Sequence, residues 1–159
     1  MIELTDPRPG DVVTVEFDDD APVTLTWPRY TDLQALPVYV GAREGRQLLE
    51  LKFDGEDGRL IELVLVNAPD TRRIATPWGG STSDASVSAC WTGDDRRAEL
   101  PHLDVIGYDD VLMMHVSPGP AVRWFKDGPV LYGTADDSSV VSFGVPWDAV
   151  VRDRIIGSR

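Results

Sequence analysis

Hydrophobic and polar residues alternate with a period of two along much of this chain, most clearly between positions 46 and 67. Leu49, Leu51 and Phe53 fall on one side of an extended segment, with charged residues between them. This spacing is typical of a β-strand rather than a helix. An Asp-Gly pair beginning at Asp54 is a strong hairpin signal, and the run after it is apolar on both sides. We therefore predict a hairpin whose second strand lies centrally in a sheet, with both faces covered.

The same alternation predicts further strands on either side of this hairpin. Positions 12–27 contain two alternating runs separated by an acidic turn, which predicts a second hairpin. Positions 111–116 form another strand candidate. Positions 122–143 contain three short runs joined by turns, which predicts a three-stranded meander. The segment 68–101 is irregular, and for it we predict a strand near 86–91 that follows a mobile loop.

The last segment changes to a helical period. Trp147, Val150, Val151 and Ile155 are spaced as one face of a helix, so we predict a short helix over about 147–155, with a strand as the competing interpretation. The fold class predicted for the whole chain is mainly β, a β-sandwich or partly open barrel of antiparallel hairpins and meanders. An α+β fold is the alternative. At 159 residues, one domain over positions 1–159 is expected.

Composition and charge restrict the class of partner. Twenty of the 27 acidic residues are Asp, which favours turns, and the formal net charge is −12. This charge disfavours nucleic acid and anionic membranes, and it permits a basic protein partner. The N-terminal residues lack the pattern of a secretory signal, and no apolar run approaches the ~20 residues of a membrane span. We therefore expect a cytoplasmic protein that is a monomer or a homodimer.

The residues that could carry chemistry do not form a recognisable catalytic motif. Cys90 is the single cysteine, and it could pair with His102 or His115, but a lone Cys on a strand is usually a small buried residue. The paired Asp residues could ligate calcium, yet turn formation explains them better. We predict no catalytic residues, no metal and no cofactor, and we favour a protein that is not an enzyme.

Two tryptophans suggest where a binding site could lie. Trp78 stands between a proline and a glycine pair, where its ring could be an exposed anchor or could fold back onto the sheet. The predicted binding residues are Trp78, Gly79, Gly80, Trp91 and His102. The leading hypothesis is a non-catalytic protein-interaction module, for example an inhibitor or immunity-type protein that covers a basic partner by charge complementarity. The alternative is a small-ligand-binding or enzymatic β-barrel with a pocket near Trp78, Trp91 and His102.

Overall fold

A computed structural model describes residues 1–157, which form fifteen strands, one 3-10 turn and one α-helix. The 3-10 turn is Pro28–Thr31 and the helix, α1, is Ala149–Ile156. The strands are β1 (Ile2–Thr5), β2 (Thr14–Glu16), β3 (Val23–Thr26), β4 (Val38–Glu44), β5 (Gln47–Phe53), β6 (Leu60–Asn67), β7 (Arg72–Arg73), β8 (Ser83–Asp84), β9 (Ser88–Trp91), β10 (Arg97–Leu100), β11 (Asp104–Gly107), β12 (Val111–His115), β13 (Arg123–Asp127), β14 (Val130–Thr134) and β15 (Val140–Pro146).

Two large sheets enclose one hydrophobic core. The six-stranded sheet has the order β10-β4-β5-β6-β3-β2, and the seven-stranded sheet has the order β7-β11-β12-β15-β14-β13-β8. Leu51 and Leu63 of the first sheet and Leu112 and Phe143 of the second belong to the same buried cluster. The pair β1-β9 forms a small third sheet. The prediction of a mainly β fold with a short C-terminal helix is confirmed, and the arrangement is that of a β-sandwich.

The hairpin predicted at 46–67 is present as β5 and β6. Leu51 pairs with Leu63 across the two strands, and β6 lies between β5 and β3 in the interior of the sheet. Its inward leucines are fully buried, whereas the outward Val64 and Val66 are only half-buried. The central position of the strand was therefore predicted correctly, but its outer face is not closed.

The other strand predictions are also confirmed. The segment 12–27 contains the antiparallel pair β2 and β3, and 122–143 contains the meander β13-β14-β15. The strand expected near 86–91 is β9, which pairs with the N-terminal β1. The strands β1, β7, β8, β10 and β11 were not predicted individually. Of these, β7, β8 and β10 each pair in parallel with a neighbour.

The C-terminal helix begins two residues later than its hydrophobic pattern suggested. Asp148 is its N-cap, where the side chain accepts a hydrogen bond of 2.8 Å from the backbone N–H of Val151. Because Trp147 precedes the helix, its position is not governed by the helical period. The side of the helix that faces the core therefore differs from the predicted one. Val150 is 77% exposed, whereas Val151 and Ile155 pack against the core. None of the helices in residues 1–157 is long and apolar enough to cross a membrane.

Candidate functional site

The outer faces of the two sheets differ in how the chain covers them. On the seven-stranded sheet, an outer cluster of Ile106, Met113 and Leu131 packs beneath Trp78 and Trp124. The outer face of the six-stranded sheet is left largely open, because most of its side chains are exposed or half-buried. We call this surface the open face; it comprises Tyr39, Gly41, Arg43, Leu48, Glu50, Lys52, Val64, Val66, Arg97 and Glu99.

A row of charge runs across the middle of the open face. Strand register places Gly41 between Glu99 of β10 and Glu50 of β5. Neighbouring strands are ~4.8 Å apart, so the two exposed carboxylates stand on either side of the glycine. A Cβ atom added at Gly41 would meet nothing within 4 Å. The missing side chain leaves a notch in a depression of about 690 Å³ that Arg43 and Leu48 also line.

The next row along the strands alternates cations and aromatic rings. Tyr39 lies between Arg97 and Lys52, whose charged groups are 5.6 Å and 5.8 Å from the centre of its ring. Lys52 Nζ also forms a 2.6 Å ion pair with Glu62 and lies 5.2 Å from the ring of Tyr30. Burial opposes the charged form of Lys52, but the hydrogen bond and charge of Glu62 outweigh it and raise the pKa of the amine. Lys52 is therefore held in this row mainly by its ion pair with Glu62, with smaller contributions from the two tyrosine rings.

Four charged groups of the open face are available to a partner. Arg43, Arg97, Glu50 and Glu99 form no ion pair with any residue that the structure describes. Each side chain is exposed, and the two signs alternate between rows. Such a surface can exchange charge-assisted hydrogen bonds with a complementary surface. It contains no pair of groups arranged to activate a nucleophile.

One constellation of chemically active residue types is not apparent from the sequence. Asp104, His115 and Ser142 occupy one row across β11, β12 and β15, and His115 Nδ1 lies 2.6 Å from Ser142 Oγ. Burial, the largest cause, lowers the pKa of His115 and favours its neutral imidazole. Ser142, however, is completely buried. Its hydroxyl is out of reach of a substrate, and the row orders the sheet rather than forming a nucleophilic site.

Cys90 also lacks the surroundings of a nucleophile. Its Sγ lies 3.6 Å from the carbonyl oxygen of Asp57, to which the thiol donates. Burial, the largest cause, raises the pKa of the Cys90 thiol and disfavours the reactive thiolate. Within residues 1–157, neither His102 nor His115 is hydrogen-bonded to it. The thiol–imidazole pair considered from the sequence is not assembled.

The predicted binding residues Trp78, Gly79 and Gly80 lie over the seven-stranded sheet. The backbone N–H of Trp78 donates to Asp110 Oδ1 at 2.7 Å, and its ring meets that of Trp124 edge-on at 4.8 Å between centres. A Cβ atom at Gly80 would clash with the Trp78 ring, whereas at Gly79 it would meet nothing within 4 Å. Of the two orientations considered for Trp78, the ring is folded back onto the sheet.

The remaining predicted residues, Trp91 and His102, lie elsewhere. Trp91 is half-buried on β9, 6.2 Å from the ring of Phe53, at the margin of the main core. His102 is half-buried just before β11 and close enough to His115 to influence it electrostatically. Trp78 and Trp91 belong to different hydrophobic clusters. The structure therefore keeps the two tryptophans of the proposed pocket apart.

Several aspartates stabilise turns, as the sequence predicted. Asp18, Asp54, Asp57 and Asp137 each accept a hydrogen bond from the backbone N–H two residues further on. No set of three or more His, Cys, Asp or Glu side chains within the described residues is placed to hold a metal ion.

No protein-family model matches the chain, and no curated protein matches it in sequence.

Proposed function

We propose that this protein is a non-catalytic protein-interaction module that receives its partner on the open face. The observation that carries this proposal is the asymmetry of the sandwich. The chain covers one sheet with a loop that carries Trp78, yet it leaves the other sheet open. Tyr39 remains 42% exposed there, and Leu48 and Val64 of the same face are half-buried.

The composition of the open face supports a protein partner rather than a small molecule. Tyrosine and arginine are enriched in protein interfaces, and partly exposed apolar residues supply the surface that docking buries. A small ligand is generally enclosed over most of its area, which an open sheet surface does not achieve. Unpaired charges of both signs, such as Glu50 and Arg97, would select a partner with the complementary arrangement.

We propose further that the partner is basic. The formal net charge of −12 would steer a basic protein towards this chain. The carboxylates of Glu50 and Glu99 beside the Gly41 notch would then meet cationic side chains. One form of this function is an inhibitor that covers a basic enzyme in the cytoplasm, with the module itself a monomer or a homodimer.

The proposal can be tested with one substitution that obstructs the open face. Gly41→Trp would place a ring in the notch, and because the position is open we expect no loss of folding. The matched control is Gly79→Trp, which adds the same ring at an equally open position over the other sheet. Each tagged protein would be used to capture partners from the native lysate at low and high salt, with unfolding monitored separately.

We expect the unmodified protein and Gly79→Trp to retain the same basic partner at low salt, and Gly41→Trp to lose it. Loss in Gly79→Trp alone would transfer the site to the predicted Trp78–Gly80 loop. If Gly41→Trp retained the partner at unchanged affinity, or if the unmodified protein captured none at either salt concentration, the proposal would be wrong.

A further inference from the structure

A second concave site shares no lining residue with the depression on the open face. It is a cavity of about 180 Å³ between the N-terminal loop, Trp27 and the turn that joins β13 to β14. This volume far exceeds the ~10–15 Å³ that one water needs. Its walls are mainly apolar, with Val13, Val87 and Val130 among them.

Three polar side chains line this cavity and form no hydrogen bonds with one another. Tyr132 is only 1% exposed, and its hydroxyl forms no hydrogen bond with any described residue. Asp11 Oδ2 is buried and likewise has no hydrogen-bond partner. Asp127 uses Oδ2 to accept from the backbone N–H of Val87 at 3.0 Å, which leaves its other oxygen available. An unsatisfied buried carboxylate oxygen costs free energy, so a hydrogen-bond donor bound at Asp11 Oδ2 would be stabilising.

The two carboxylates act on the same hydroxyl. Burial, the largest cause, and then the charges of Asp127 and Asp11 raise the pKa of Tyr132. Independently of this effect, Asp11, Asp127 and Tyr132 all line the same cavity of about 180 Å³. Neither Asp11 nor Asp127 forms an ion pair in residues 1–157, and no Lys or Arg lines the cavity.

We propose that this cavity binds an alkylammonium group. Its N–H donors would be shared between the carboxylates of Asp11 and Asp127 and the hydroxyl oxygen of Tyr132, and its alkyl chain would lie against the apolar walls. The aromatic surface of Trp27 also suits an organic cation. A metal ion fits less well, because hard cations require more oxygen ligands than two carboxylates and a phenol supply.

The ammonium could come from a free amine or from the lysine side chain of a protein. The inference does not rest on the proposed docking function, because the cavity and the open face have no lining residue in common. The shared chemistry is a primary ammonium on a short alkyl chain. The two sources can be distinguished by whether the cavity still binds the ammonium group when its alkyl chain is attached to a peptide backbone.

The test uses n-butylammonium chloride as the probe and 1-butanol as its uncharged counterpart, at constant ionic strength. Binding would be followed by changes in the amide NMR signals of residues around the cavity. We expect saturable binding of the amine with a Kd on the order of 1 mM, as suits so small a ligand. The alcohol should bind at least tenfold more weakly, because it carries no charge.

Variants locate the bound amine. Asp11→Asn keeps the shape of the side chain but removes its charge, and Tyr132→Phe removes only the hydroxyl; we expect at least tenfold and several-fold weaker binding, respectively. Asp94→Asn, a charge change at an exposed loop, should leave binding unchanged. The comparison of amine and alcohol on the unmodified protein needs no variant, so it decides the question even if a variant fails to fold.

A third ligand, Nα-acetyl-lysine N-methylamide, distinguishes the sources. If it binds as well as butylammonium, the cavity accepts a lysine side chain; if only the free amine binds, a small amine is the ligand. Both results support the proposal. Equal binding of alcohol and amine, an affinity unchanged in both Asp11→Asn and Tyr132→Phe, or no saturable change at the cavity would overturn it.

Discussion

The carboxylate of Asp54 is completely buried and accepts a 2.9 Å hydrogen bond at Oδ2 from Nε of Arg29. The same oxygen accepts a second bond of 2.8 Å from Arg8, and Oδ1 accepts one from the backbone N–H of Glu56. Asp54 directly follows β5, whereas its two arginines come from the N-terminal loop and the 3-10 turn. One side chain therefore joins three separate segments at one end of the six-stranded sheet.

Replacing Asp54 with Ala should strongly destabilise the protein. The substitution removes the buried acceptor of two guanidinium groups, and breaking a buried ion pair typically costs about 3 kcal/mol or more. We expect a loss of about 3 kcal/mol in the free energy of unfolding by urea denaturation, and a fall in Tm of roughly 6–12 °C.

The control is Asp70→Ala, which breaks the exposed ion pair between Asp70 and Arg46. Exposed pairs contribute little, so this variant should lose less than about 1 kcal/mol. Equal stability losses in the two variants would contradict a special structural role for Asp54.

Local patterns were sufficient to predict the hairpins of this fold. The hairpin at 46–67 follows from alternation and an Asp-Gly turn, because all of its contacts lie within about twenty positions. The acidic turns follow for the same reason, since an Asp such as Asp18 bonds to the backbone only two residues away. These features require no knowledge of the order of strands in a sheet.

The candidate sites depend on strand order and could not be predicted in this way. Gly41 lies between Glu50 and Glu99 because β10 pairs in parallel with β4, a pairing that short-range alternation does not reveal. The cavity likewise brings Asp11 of the N-terminal loop together with Tyr132 of the seven-stranded sheet. Trp78 is a conspicuous residue in the sequence, but its ring is used in packing.

The stability of the protein should fall between neutral and mildly acidic pH because of His115. Burial lowers the pKa of His115 below its ordinary value of 6.5, so below that pH the unfolded chain takes up a proton that the folded chain does not. Stability contributed by this group is present above pH 6.5 and is lost as the pH falls, at up to about 1.4 kcal/mol per pH unit. The imidazole titration, followed by NMR, should have its midpoint below 6.5.

His115→Gln supplies the comparison for this prediction. The variant lacks the titrating imidazole, so its free energy of unfolding should change less between pH 7.5 and the acidic range, as measured by urea denaturation. The difference in slope is the relevant quantity, because carboxylates contribute to both proteins. Identical slopes would show that His115 is not the group responsible.

At alkaline pH, the stability of the protein should fall because of Tyr132. Burial and two nearby carboxylates raise its pKa above the ordinary value of 10.0, so above pH 10 the unfolded chain loses a proton that the folded chain retains. Stability from this group is present below pH 10 and is lost as the pH rises. Absorbance at the phenolate band should show one of the four tyrosines ionising only on unfolding. Tyr132→Phe should remove that delayed ionisation, and its survival in the variant would assign it to another tyrosine.

Replacing Trp78 should mainly reduce stability, whereas replacing Tyr39 should mainly weaken partner binding. Trp78→Ala removes a half-buried ring that packs against Trp124, so we expect a loss of about 2 kcal/mol in the free energy of unfolding with capture of the partner retained. Tyr39→Ala removes a more exposed ring from the open face, and it should weaken capture with a smaller loss of stability. Both variants would be compared by urea denaturation and by capture at low salt. If Trp78→Ala abolished capture while remaining fully stable, the binding surface would lie over the seven-stranded sheet, because a ring needed only for packing cannot be removed without a cost in stability.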